Sequence, residues 1–440
     1  MFTFERQTVS REGERLFIAF DFRLDDRYFF RPTLEIPART FLDWDVIPDE
    51  TLQVLAFQIG MTELVSYWKI ACPKRVAVKP FALSESQKRF WKKLYYNGLG
   101  EFLYLNGVTV SEEDLMEIEA AEGIDTIVLP SASCADSVNF EEKVLVPIGG
   151  GKDSVVTLEC LRNEMPVIPL IVNPRGATLD CAKTGGYAEN DCIVINRTLD
   201  NTMLKLNQEG YLNGHTPFSA LLAFISVLAA FGTHSNYIAL SNENSANEAT
   251  VPGTNINHQY SKSIGFERDF RNYVAENLSD KVQYFSFLRP LNEMQIASLF
   301  AQCEAYHPVF RSCNVGSKTD SWCCHCPKCL FTWIILSPFL SHDKLVAIFG
   351  KDLMADESLR PILEELNGMA PVKPFECVGT VEEVNACINA GVSTGSVTAW
   401  FAKAPEPVEG PTIDEILSRF NKEHFLPERF ETILKSKLNV

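Results

Sequence analysis

The chain has 440 residues, 46% hydrophobic and 22% charged, with 40 Lys+Arg against 57 Asp+Glu for a net charge of −17. That is the balance of a folded chain of two or three domains, too apolar for disorder. Its acidity argues against nonspecific nucleic acid or an anionic membrane as partner, while leaving room for a locally basic pocket. The most apolar stretch, Ala220 to Phe231, falls well short of the roughly twenty residues of a spanning helix. The N-terminus has no basic segment ahead of an apolar core, so no signal peptide is expected. The 13 cysteines are odd in number and mostly scattered. They read as reduced thiols of a cytoplasmic protein rather than a secreted disulfide framework.

Residues 1–140 carry strand-like runs at Leu16–Phe20 and Tyr28–Phe30 and a helical pattern over Glu85–Leu99, which predict an α+β N-terminal domain. It closes near the small-residue loop Ser131–Ser137. The next predicted elements, in order, are an apolar strand at Val144–Ile148, a glycine turn at Gly149–Gly151 and a helix over Ser154–Arg162. Strands at Val167–Val172 and Cys192–Ile195, an apolar helix over Pro217–Phe231, and strands at Tyr237–Leu240 and Val282–Phe285 follow. Strands separated by helices predict a mostly parallel sheet, hence an α/β domain over residues 141–340 with its ligand loops after the strands. Residues 341–440 read as helical, most clearly Asp356–Leu366 and Thr412–Phe420, joined by the Pro-rich acidic linker Ala404–Pro411.

The sharpest local signal is Val144-Leu-Val-Pro-Ile-Gly-Gly-Gly-Lys-Asp-Ser154. Glycines bring backbone N–H groups against a ligand, and the helix N-terminus adds partial positive charge, so Gly149, Gly150 and Gly151 favour phosphate. Ser154 offers a hydroxyl, Lys152 a charge, and Asp153 either caps the helix or approaches magnesium. A Walker loop or a dinucleotide fingerprint requires glycine where Ser154 stands. The segment instead resembles the PP-loop of N-type ATP pyrophosphatases. That resemblance implies cleavage of ATP between its α and β phosphates, with AMP passed to a carboxylate or similar oxygen.

The polar stretch Ser241–Glu248 follows a predicted strand at the same sheet edge. Glu243 and Glu248 there either bind magnesium or nucleotide, or belong to a solvated loop. His258 and Lys262, four apart, would share one helix face and suit proton transfer and anion binding; for His258 a structural role is equally open. Glu267 and Arg271 read as a plain surface pair. His215, before the apolar helix, and Arg289, after the last predicted strand, serve either as catalytic and anion-binding groups or as structural hydrogen-bonding ones. Cys313, Cys323, Cys326 and Cys329 have the spacing of a four-thiolate zinc site, leaving Cys324 and His325 spare. The alternatives are a set of buried reduced thiols or a catalytic cysteine.

Longer segments carry a narrower resemblance. They are Leu55–Trp68, Gly98–Asn106, Pro147–Ser154, Asn213–Ser219, Ser241–Ala246, Asn257–Ser263, Trp322–Cys329 and Lys373–Gly379. Together they resemble the UDP-N-acetylmuramoyl-L-alanyl-L-glutamate epimerases of peptidoglycan synthesis. The resemblance implies an ATP- and magnesium-dependent inversion of the terminal L-Glu of UDP-MurNAc-L-Ala-L-Glu to D-Glu through an acyl-adenylate, releasing AMP and pyrophosphate. It implies that Gly149, Gly150, Gly151, Asp153 and Ser154 hold the ATP and that Lys152 or Arg289 balances phosphate charge. His258, Lys262, His215 and a cluster cysteine are then the acid/base candidates. The runner-up is another adenylating enzyme with this loop, either 7-cyano-7-deazaguanine synthase-like or amide-forming.

Overall fold

The computed structural model describes residues 1–12, 15–120, 138–248, 250, 256–394 and 410–438. The loop Ser131–Ser137 and most of the linker Ala404–Pro411 lie outside them. In chain order the strands are β1 (Phe2–Glu12), β2 (Arg15–Leu24), β3 (Tyr28–Phe30), β4 (Thr33–Pro37), β5 (Arg75–Val78), β6 (Glu117–Ala120), β7 (Glu141–Pro147), β8 (Val167–Val172), β9 (Ile193–Thr198), β10 (Ser235–Leu240) and β11 (Gln283–Ser286). All join one mixed, mostly parallel sheet of order β11-β10-β7-β8-β9-β4-β2-β1-β5-β6, with β3 on β2. The expected strand Val167–Val172 is β8 residue for residue, and the other expected second-half strands shift by about one to three residues at their ends.

The sheet crosses residue 140 without a break, because β4 pairs antiparallel with β9 (Leu34 opposite Arg197). β7 to β11 form the all-parallel half, each strand buried on both faces as parallel sheets require. Successive residues face opposite ways. Leu145, Leu170, Ile193 and Ile238 enter one core, and Val144, Val146, Val194 and Ala239 enter the other.

The helices described up to residue 336 are α1 (Asp49–Trp68), α2 (Glu85–Gly98), α3 (Gly100–Leu105), α4 (Lys152–Leu161), α5 (Gly176–Thr184), α6 (Asn201–Gln208), α7 (Phe218–Thr233), α8 (Ile264–Asn277), α9 (Glu293–Ala301) and α10 (Pro327–Leu336). The first core takes α1, α2, α7 and α8, and the second takes α4, α9 and α10 with the C-terminal helices. α1 is buried on nearly all sides. At Gly60 a Cβ would fall 2.4 Å from the Phe4 ring, so only glycine lets α1 approach β1 this closely. Beyond residue 341 every described element is helical. No described helix is long and apolar enough to cross a membrane.

The five parallel strands run in spatial order third, second, first, fourth, fifth by sequence. Their order reverses between β7 and β10, and ligands of such sheets bind in the crevice beyond the carboxyl ends at that point. The glycine turn and the Ser241–Glu248 loop flank it.

Candidate active site

β7 runs through Ile148 into the three glycines, and α4 starts at Lys152 with Gly151 as an N-cap that offers no side-chain cap. Its first-turn N–H groups have no intrahelical acceptor. Gly150 sits at φ +79°, where a Cβ would meet the Ala177 backbone at 2.9 Å, and its carbonyl accepts from Arg311 N at 2.7 Å. Gly149 has nothing within 4 Å of its missing Cβ. The turn is therefore braced behind and open in front. In front lies a cavity of about 300 Å³, lined by Gly149, Gly151, Asp153, Ser154, Ser241 and Glu243 among others. Arg175, Lys262, Arg311 and Lys328 also reach it, a local basic lining inside an acidic protein.

Lys152 is buried on the cavity wall with its ammonium between Asp153 and Glu293. Burial alone would lower its pKa, but the two carboxylates outweigh that and hold it protonated. Ser154 Oγ donates to the Gly151 carbonyl at 3.0 Å. Glu243 is buried and accepts from Ser245 Oγ at 2.9 Å. Glu248 is exposed, away from the lining, and pairs with Lys373.

Arg289 does not line the cavity. It is fully buried, donating to the carbonyls of Glu243 (2.5 Å) and Lys262, and lies 3.3 Å from Glu267. The expected phosphate-binding role gives way to a positioning one, since this fork ties Glu243 and Lys262 together. Glu267, read as half of a surface pair with Arg271, is instead buried against Arg289. Arg289→Met is expected to lower folding stability by about 3–5 kcal/mol, because Glu267 would lose its buried ion-pair partner and keep only the Ser286 N–H and the Arg271 charge. Urea denaturation checks this; a loss under 1 kcal/mol would mean the fork is dispensable.

His258 and Lys262 do not share a helix. Ser263 N-caps α8, its hydroxyl accepting from Phe266 N, so the helix starts after both residues, and Lys262 ends a short 3₁₀ turn, Tyr260–Lys262. They converge nonetheless, on Cys377. Lys262 Nζ lies 3.1 Å from its sulfur, and His258 hydrogen-bonds the same thiol. The other side of His258 is held by Glu101, through Nδ1, and His215 packs against it with its ring tilted by 46° and centroids 4.3 Å apart. Burial would push the Cys377 thiol up, but the Lys262 charge, the His258 hydrogen bond and the Lys328 charge bring it down to about 6. Burial would lower His258, yet its bonds to Cys377 and Glu101 raise it to about 9. Lys262 is likewise held protonated against burial by Cys377 and Glu243. His215 falls to about 4 through burial and the neighbouring charge of His258.

The sulfurs of Cys313, Cys323, Cys326 and Cys329 all lie within 4.8 Å of one another, with contacts of 3.5, 3.7 and 3.9 Å. Zinc–thiolate bonds of about 2.3 Å set tetrahedral sulfur–sulfur edges of about 3.8 Å, so the set has the size of a zinc site. Cys324, at φ +60°, turns away and contacts the Phe349 carbonyl at 3.4 Å, while His325 bonds the Cys323 carbonyl at 2.7 Å. Both are spare. The same segment braces the glycine turn through Arg311 and Ser312, the latter 3.0 Å from where a Gly151 Cβ would stand.

Comparison with known proteins adds the lineage. The MurL N-terminal domain matches residues 1–287 and the MurL C-terminal domain residues 309–400. The chain is 36% identical over 396 residues to the UDP-N-acetyl-alpha-D-muramoyl-L-alanyl-L-glutamate epimerase of Micromonospora sp., covering 87% of this chain and 84% of that protein. It is 34% identical to the epimerase of that name from Xanthomonas oryzae pv. oryzae, covering 76% and 72%, and 35% identical to that of Salinispora tropica, covering 72% and 69%. No solved structure matches. With both domains matched in order and these relatives similar over most of their length, the chain belongs to the MurL family.

Proposed function

We propose that this chain inverts the terminal L-Glu of UDP-MurNAc-L-Ala-L-Glu to D-Glu, consuming ATP to activate the glutamate carboxylate and releasing AMP and pyrophosphate. The observation that carries this reading is the uncapped glycine turn opening, at the sheet's switch point, onto a cavity shared with Arg175, Lys262, Arg311 and Lys328. In this reading the turn is a PP-loop whose N–H groups meet phosphate oxygens. The four cations suit a multiply anionic substrate. Asp153 and Glu243 face the cavity with carboxylates that suit magnesium.

ATP supplies the adenylyl group, and the physical need for it is plain. A free carboxylate makes the neighbouring C–H a very weak acid, because deprotonation would place charge beside charge. Its acyl-adenylate is neutral at that carbon and can take up the electron pair as an enolate. The four-cysteine set suits a structural zinc, which would fasten residues 311–329 behind the glycine turn. Twelve free cysteines among the described residues fit a reducing compartment, and the cytoplasm is the proposed location.

The test is direct. Purified protein with UDP-MurNAc-L-Ala-L-Glu, ATP and magnesium in heavy water is expected to yield D-Glu carrying deuterium at the α-carbon, with AMP and pyrophosphate. Unlabelled L-Glu at the end would sink the reading, and a product formed only with added ammonia would point to an amide-forming enzyme.

A further inference from the structure

Residues 373–379 reach the cavity from the helical C-terminal part of the chain. Lys373 fastens them there by its ion pair with Glu248 and by donating to the Gly379 carbonyl at 2.9 Å. Cys377, half-buried within this stretch, lines the same cavity as Gly149, Asp153 and Ser154. Lys262 lies on the cavity wall beside it, whereas His258, Glu101 and His215 stand behind. The arrangement is a thiol gripped by one ammonium and one imidazole, with a carboxylate orienting the imidazole. Such a surround stabilises a thiolate.

We propose that the Cys377 thiolate removes the α-proton of the activated glutamate, an assignment that rests on the epimerase reading above. The Cα–H bond breaks, an S–H bond forms, and the electron pair moves into the acyl group as an enolate. Lys262 and His258 are positioning residues that keep the sulfur ionised. The proton completing inversion must come from another donor on the opposite face, because return from Cys377 to the face it left restores the L centre. The protonation states agree with this division of labour. Lys262 and His258 are held protonated and cannot accept a proton near neutrality, whereas the thiol titrates close to the working range where a general base is most effective.

The full-length protein and its Cys377→Ala and Cys377→Ser variants would be compared in heavy water. Pyrophosphate release, α-deuteration and D-Glu are each followed. Both variants are expected to keep substrate-dependent pyrophosphate release and to lose α-deuteration by on the order of 10²–10⁴-fold. Deuteration within a few-fold of the parent overturns the assignment, as does loss of pyrophosphate release together with deuteration in both variants. A parent protein that neither releases pyrophosphate nor exchanges the proton fails the epimerase reading instead.

A pH profile separates ionisation from packing. The groups facing the sulfur are Lys262, His258 and Lys328, with Glu376 beside it and Glu101 behind His258. The thiolate is lost as pH falls through about 6. Peptide-resolved iodoacetamide labelling of Cys377 should show that midpoint, and Lys262→Gln should move it up toward the ordinary thiol value of about 8.5. An unmoved midpoint overturns the role given to Lys262 and with it the stabilised thiolate.

Discussion

Asp153→Asn is expected to reduce substrate-dependent pyrophosphate release by on the order of 10²–10³-fold, the scale set by removing one preorganised charged group from a reacting centre. The substitution is isosteric, so the fold should be undisturbed. Asp153 stands in the first turn of α4, about one-third exposed, with one oxygen on Lys152 and its surface on the cavity. Lys152 keeps Glu293 as a partner in the variant, so the buried ammonium is not orphaned. What disappears, on the proposed reading, is the charge that Asp153 would offer to magnesium and, through it, to the phosphates. A pyrophosphate-release assay at several magnesium concentrations checks this, with a thermal melt as control. Full activity with an unchanged magnesium requirement would mean that the glycine turn handles no triphosphate.

The second large effect concerns the thiolate set. Metal analysis is expected to find about one zinc per chain, and Cys326→Ser to bring it well below that. Pyrophosphate release should fall by roughly 10²-fold even though no ligand cysteine carries the reaction, because displacement of a supporting segment by about 1 Å can cost that much. The link is the bond from Arg311 N to the Gly150 carbonyl and the contact of Ser312 with Gly151. If Cys326→Ser keeps both its metal and its rate, the four sulfurs are packing rather than ligands.

Much of the parallel half was legible because its strands are short apolar runs bounded by turn residues, and helix formation after Gly151 needs nothing beyond local sequence. α1 was not. Among its buried residues are Thr51, Gln58, Thr62, Glu63 and Ser66, so no polar stripe marks an outer face, and periodicity has nothing to read. The His258–Lys262 pairing was found for the wrong reason. Four-residue spacing suggested a helix, while Ser263 as N-cap was the overlooked sign that the helix begins later. Cys377 escaped altogether as a candidate, since Lys262 and His258, which meet its sulfur, lie 115 or more residues away along the chain. The one trace was its place in the segment Lys373–Gly379. Arg289 and Glu267 show the opposite error: charged residues suggested contact with ligand or solvent, and tertiary burial turned them into an internal brace.

The seam between β4 and β9 has a mechanical meaning. Backbone hydrogen bonds stitch the first forty residues to the ligand-bearing strands, so the sheet is a single plate that cannot flex along its middle without tearing them. The proposed substrate would therefore meet the cavity at the rim beyond the carboxyl ends of the strands. There the stretch bearing Cys377 is joined to the opposite loop by the ion pair of Lys373 with Glu248.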